Sequence, residues 1–124
     1  MIHISDQDFD RAVEGALKSI PTEFRRHLDN VLVVVQPRPD RKFMRAYDVP
    51  DDILGLYVGC PLGEKFASDA PASLPDQIVI FRDNLCEMCA TRAELIEEIR
   101  ITVLHEIGHH FGMDEDRLAD LGYD

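Results

Sequence analysis

Apolar residues in this chain recur with two different periods. Near the N-terminus they fall at Phe9, Val13, Ala16, Leu17 and Ile20, the three-and-four spacing that puts side chains on one face of an α-helix. Ser5 stands just before that stripe as a capping residue. Asp6 and Asp8 sit where the positive end of a helix favours carboxylates, and Pro21 cannot continue the helix. The pattern therefore predicts a helix over 6–19, followed by a short helical turn over 22–28. From Val31 to Val35 the period changes to an unbroken run of valine and leucine, which predicts a strand buried on both faces and closed by Pro37 and Pro39. Residues 37–52 read as an irregular loop carrying Arg38, Arg41, Lys42 and Arg45. Ile53 to Val58 predicts a second strand, residues 61–76 a proline-rich loop, and Gln77 to Arg82 a third strand.

Helical spacing returns near the C-terminus. Thr91-Arg92-Ala93-Glu94 has the form of a capping box, and the helix it starts is expected to reach Phe111. Ile96, Ile99, Val103, Ile107 and Phe111 share one broad face, which is expected to pack on the sheet. Glu98, His105 and His109 fall on the other side, facing a cleft. No repeat and no change of composition divides the chain, so one domain over 1–124 is expected, of the α+β class.

Composition narrows the picture. With 124 residues and 45% apolar content the chain can bury one modest core. A net charge of −11 argues against nucleic acid and anionic membranes as partners, because phosphate binding needs clustered Lys and Arg. A basic peptide or protein would be electrostatically welcome, although keeping the chain soluble is the simpler role for the charge. No apolar run is of membrane-spanning length, and Met1 to Asp6 lacks the basic and apolar regions of a secretory signal. The three cysteines, Cys60, Cys86 and Cys89, do not make an even disulfide set, so a cytoplasmic location is expected. Cys86 and Cys89 form a C-x-x-C that suits half of a zinc site or a redox pair. Only Cys60 remains as a further thiol ligand, and no βαβ pattern surrounds the pair.

The chemistry concentrates in His105-Glu106-Ile107-Gly108-His109-His110-Phe111-Gly112. His105 and His109 lie four residues apart, one above the other on a helix, where two imidazoles can bind one Zn²⁺. Glu106 is about 100° around the helix, placed to take a proton from an attacking water rather than to become a ligand. His110 points about 140° away from His105 and is expected to be a hydrogen-bonded core or supporting histidine. A catalytic zinc takes three protein ligands and keeps one position open. Only fifteen residues follow His109, so the third ligand is expected just beyond Gly112, where glycine can turn the chain back. Spacing favours Glu115, with Asp114 next and Asp116 as a further alternative. The motif thus predicts a zinc-dependent hydrolase with Glu106 as general base.

This stretch, followed by Asp114-Glu115-Asp116 and the tail from Leu118 to Tyr123, resembles the small bacterial zincin-like metallopeptidases. The strand from Gln77 and the helix from Thr91 match their layout. The resemblance implies a minimal zincin fold, in which a small mixed sheet and an N-terminal helix pack against a long C-terminal active-site helix. It also implies an edge strand that borders the cleft and takes an extended peptide by strand addition, which the layout assigns to Ile78–Phe81. Two departures stand out: Glu115 occupies a position that metzincins give to His or Asp, and no methionine follows Met113 to form their methionine turn. Tyr123, the one tyrosine after the motif, is expected to pack or to steady an oxyanion. Two functions are consistent with these residues: a zinc peptidase acting on a peptide or protein substrate, or a non-catalytic metal-binding module of the same fold that binds a basic protein partner.

Overall fold

A computed structural model describes residues 1–59, 75–111 and 115–120 of the chain. Its longest element is α5 (Arg92–His110). The Thr91 hydroxyl accepts from the Glu94 N–H at 3.1 Å, and the Glu94 carboxylate accepts in return from the Ala90 N–H at 3.3 Å, one residue earlier than a standard capping box. Leu95, Ile99, Val103, Leu104 and Ile107 are fully or almost fully buried. Apolar positions spread more than half-way round α5 because it is covered on two sides. One cover is α1 (Asp6–Lys18), whose Ser5 cap accepts from the Asp8 N–H at 3.1 Å and whose Phe9, Ala12, Val13 and Ala16 face the core. The other cover is the sheet. The helical turn expected after Pro21 is α2 (Thr22–Arg25) and a 3₁₀ turn, Arg26–Leu28.

Among the described residues the sheet consists of β1 (Val31–Gln36), β2 (Gly55–Val58) and β3 (Asp76–Phe81), in the order β1-β3-β2. β1 runs parallel to β3 with Val31 opposite Asp76, and β2 antiparallel with Gly55 opposite Ile80. The architecture is the α+β arrangement of a small mixed sheet against an N-terminal helix and a long C-terminal helix. Two strands exchange the roles expected of them. β1 is an edge strand with Leu32 52% exposed, so the valine-rich run is not buried on both faces. β3 is the central strand, and Ile78, Val79, Ile80 and Phe81 are buried on both faces. Ile78–Phe81 is therefore not the edge strand that the family layout suggested. Burial of both faces and pairing on both edges leave it no free edge for a peptide.

The sheet's second face is covered by α3 (Arg41–Tyr47), in the stretch read as an irregular loop. The Asp40 carboxylate accepts from the Phe43 N–H at 2.7 Å, and Asp48, in the left-handed region at φ 54°, ends the helix. Phe43 and Tyr47, one turn apart, pack on Val58, Val79 and Phe81. α4 (Arg82–Met88) follows β3 directly, so Arg82 starts a helix rather than ending a strand. It carries the buried Asn84, whose amide donates to the Asp51 and Ile53 carbonyls at 2.9 and 2.7 Å and accepts from Arg38 at 3.0 Å. Arg38 also pairs with Asp83 at 3.7 Å and with Glu87, balancing two acidic neighbours. α6 (Glu115–Asp120) is the last described element. No described helix is long and apolar enough to cross a membrane.

Gly55 marks a close approach of sheet and helix. A Cβ there would lie 2.8 Å from the Thr102 methyl and 3.0 Å from the Val79 carbonyl oxygen. Gly55→Ala is predicted to destabilise the fold by about 1–3 kcal/mol, the usual cost of overpacking. Gly59→Ala, whose Cβ would meet nothing nearer than His110 Cε1 at 3.8 Å, should stay within about 0.5 kcal/mol. Urea unfolding of the two variants checks the difference.

Candidate functional site

Three stripes of α5 have three surroundings. Leu95, Ile99, Val103 and Ile107 face the core, Thr102, Glu106 and His110 face β2, and His105 and His109 lie on the open side, half-buried and exposed respectively. The second stripe exists because strand and helix stay in step. Two residues of strand advance about 6.6 Å and four residues of helix about 6.0 Å. Gly55 therefore meets Thr102 while Tyr57, two residues on, meets Glu106 and His110. β2 thus borders the motif, in the place expected of Ile78–Phe81.

The antiparallel ladder sets which way Tyr57 points its main chain. The Phe81 N–H donates to the Leu54 carbonyl at 2.9 Å, so Leu54, Leu56 and Val58 bond toward β3 while Gly55 and Tyr57 turn their N–H groups outward. The outward N–H of Tyr57 donates to Glu106 Oε1 at 2.7 Å. The Tyr57 ring stacks on His110 with centroids 3.7 Å apart and planes 14° from parallel. Its hydroxyl donates to Asp76 Oδ2 at 2.7 Å. Burial, then the bond to Asp76, push the phenol's pKa above its ordinary value, so Tyr57 stays neutral through the physiological range.

His105 and His109 converge as the four-residue spacing predicts. Their Nε2 atoms are 2.9 Å apart, with ring centroids at 4.3 Å and planes at 68°. A tetrahedral Zn²⁺ bound to both would hold those nitrogens about 3.3 Å apart, given Zn–N bonds of about 2.0–2.1 Å. A few tenths of an ångström of ring movement would admit the ion. Both side chains leave α5 within its last two turns, where the negative end of the helix favours a cation. The donor set therefore fits zinc. Among the described residues no group of three or more His, Cys, Asp or Glu side chains is placed to hold a metal. Of the expected third ligands, Asp114 and the side chain of Glu115 lie outside the described residues, and Asp116 is exposed on α6. Tyr123 and Cys60 also lie outside them.

Other residues take roles that the motif alone did not indicate. His110 is not a core histidine: it is exposed, stacked on Tyr57, with Nε2 4.0 Å from Asp76 Oδ2. Phe111, just beyond the end of α5, is 43% exposed rather than buried against the sheet, and its ring stands edge-on to Tyr57 of β2 with centroids 6.3 Å apart. Its ring meets that of His27 with centroids 4.4 Å apart. Nothing in the sequence singles out Tyr57 or Asp76, since an aromatic in a strand and an aspartate at the start of one carry no motif. Their link to α5 arises only from the strand pairing.

Cys86 and Cys89 are buried free thiols at the C-terminal end of α4. Burial pushes both pKa values up, helped by Asp83 at Cys86 and by Glu98 and Glu94 at Cys89. The nearby helix end is its negative one, which disfavours a thiolate further. At neutral pH both stay protonated, a state suited neither to nucleophilic exchange nor to binding a soft metal. Iodoacetamide at pH 7 is predicted to modify them at less than about a tenth of the rate seen in denaturant, as checked by peptide mass spectrometry. Rapid native labelling would refute the assignment.

Comparison with known proteins bears on family and fold. No curated protein matches the chain. The chain is similar to the solved structure of a conserved hypothetical protein from Thermo thermophilus, at 24% identity and a TM-score of 0.54, over 97% of this chain and 100% of that one. At that identity the likeness speaks for the fold alone. The family model described as zincin-like metallopeptidase matches residues 28–123, a span that takes in the sheet, α5 and the whole motif. The chain belongs to the zincin-like metallopeptidase family.

Proposed function

We propose that the protein is a zinc-dependent peptidase in which His105 and His109 hold the metal and Glu106 is the general base. The observation that carries this reading is the convergence of two imidazole Nε2 atoms to 2.9 Å beside a glutamate on the neighbouring stripe of the same helix. Glu115 is the proposed third ligand, with Asp114 and Asp116 as alternatives. When bound, zinc supplies a Lewis acid that polarises the scissile carbonyl and makes an attacking water more acidic. Glu106 accepts the proton of that water and passes it to the leaving amine, so one carboxylate acts first as base and then as acid. The substrate is an extended peptide laid along the outer edge of β2, where the Gly55 N–H and the Gly55 and Tyr57 carbonyls face outward while the Tyr57 N–H is engaged by Glu106.

A second reading rests on the net charge of −11: a non-catalytic metal-binding module that recruits a basic protein. The same experiment separates the two. Zinc-loaded protein is incubated with a diverse peptide mixture, and cleavage is followed by mass spectrometry. On the peptidase reading, Glu106→Gln retains zinc and loses turnover by about 10²–10⁴-fold, the usual contribution of a general base. His105→Ala loses the metal. Full activity in Glu106→Gln would remove Glu106 from the mechanism. Absence of any cleavage that depends on Glu106 would favour the binding module.

A further inference from the structure

We infer that the main-chain N–H of Tyr57 is the group that positions Glu106, holding Oε1 so that Oε2 is the oxygen that takes the proton; this rests on the peptidase reading above. A glutamate next to two metal-binding imidazoles has two possible fates. Its carboxylate can take the proton of a water, or it can swing onto the metal and become a ligand. Three side-chain torsions separate these fates, and α5 alone does not choose between them. β2 does. The 2.7 Å bond from Tyr57 N–H to Oε1 is a hydrogen bond to a charged acceptor, short and strong for its class. It ties down one oxygen and restricts the torsions that would carry the carboxylate toward the imidazoles.

The donor is itself fixed from three directions. The Tyr57 ring is stacked on His110, one turn beyond Glu106, and its hydroxyl is bonded to Asp76 at the start of β3. Two residues earlier, Gly55 lets β2 approach α5 to within contact of Thr102. The tyrosine side chain acts as the lock, and the backbone N–H as the part that touches the base. Because that N–H points away from β3, it can be removed without breaking a rung of the sheet ladder.

Amide hydrogen exchange tests the contact without reference to turnover. In the wild-type protein the Tyr57 amide, although on a strand edge, should exchange slowly. In Glu106→Ala it should exchange about ten- to a hundredfold faster, the equivalent of a hydrogen bond to a charged group, and in Glu106→Gln, which keeps an acceptor oxygen, it should stay slow. Unchanged exchange in Glu106→Ala would overturn the inference. The positioning role is tested by comparing Tyr57→Pro with Tyr57→Ala. Both lack the ring, and only the proline lacks the N–H. With zinc-loaded protein and casein-derived peptides, kcat of the proline variant should fall about tenfold or more below that of the alanine variant, with KM and zinc content alike. Equal kcat values would overturn it. If zinc-loaded wild type cleaves nothing, the peptidase reading fails, and the exchange comparison still decides whether Tyr57 holds Glu106.

Discussion

The approach of β2 to α5 at Gly55 sets the spacing on which the candidate site depends. A larger residue there would press on the Thr102 methyl and the Val79 carbonyl and lift the strand, lengthening the 2.7 Å bond from the Tyr57 N–H to Glu106. The match between two strand residues and four helix residues then carries that close contact along the stripe. One missing side chain near the middle of the molecule thus fixes the height of a carboxylate and of a stacked histidine farther along the same helix.

The helix has to meet opposing demands. Its core stripe must be apolar to seat against α1 and the sheet, while His105 and His109 must stay reachable. The fold resolves this by burying the core stripe of α5 and letting its last turn emerge. The polar groups that come closest to burial there are paired: Glu106 with a backbone N–H and the Tyr57 hydroxyl with Asp76. Elsewhere Asn84 fills the same need by satisfying two loop carbonyls. In each case a polar group withdrawn from water finds its partner on a segment distant in sequence, which welds loops to helices.

What the sequence made legible was local. The caps at Ser5 and Thr91, the stripe of α1 and the four-residue histidine spacing each depend on residues within a turn or two of one another, and each appears where the pattern put it. α3 was hidden because its signal is the single Asp40 cap ahead of a basic stretch. α4 was hidden because it begins without a break from a strand. The roles of β1 and β3 were exchanged because a run of valines reports β propensity but not the number of neighbours a strand will have. Tyr57 could not be singled out at all, since its partnership with Glu106 depends on a register between two elements 49 residues apart.

The order of strands also bears on how the chain acquires its shape during synthesis. β1 and β2 emerge first, yet neither pairs with the other; each waits for the third strand to enter between them. Until then both carry unpaired backbone, the state in which nascent chains stick to one another. The N-terminal half therefore cannot complete this sheet without β3. The strand that joins β1 to β2 thus lies only ten residues ahead of the histidine-bearing helix, so sheet and site are completed close together in synthesis.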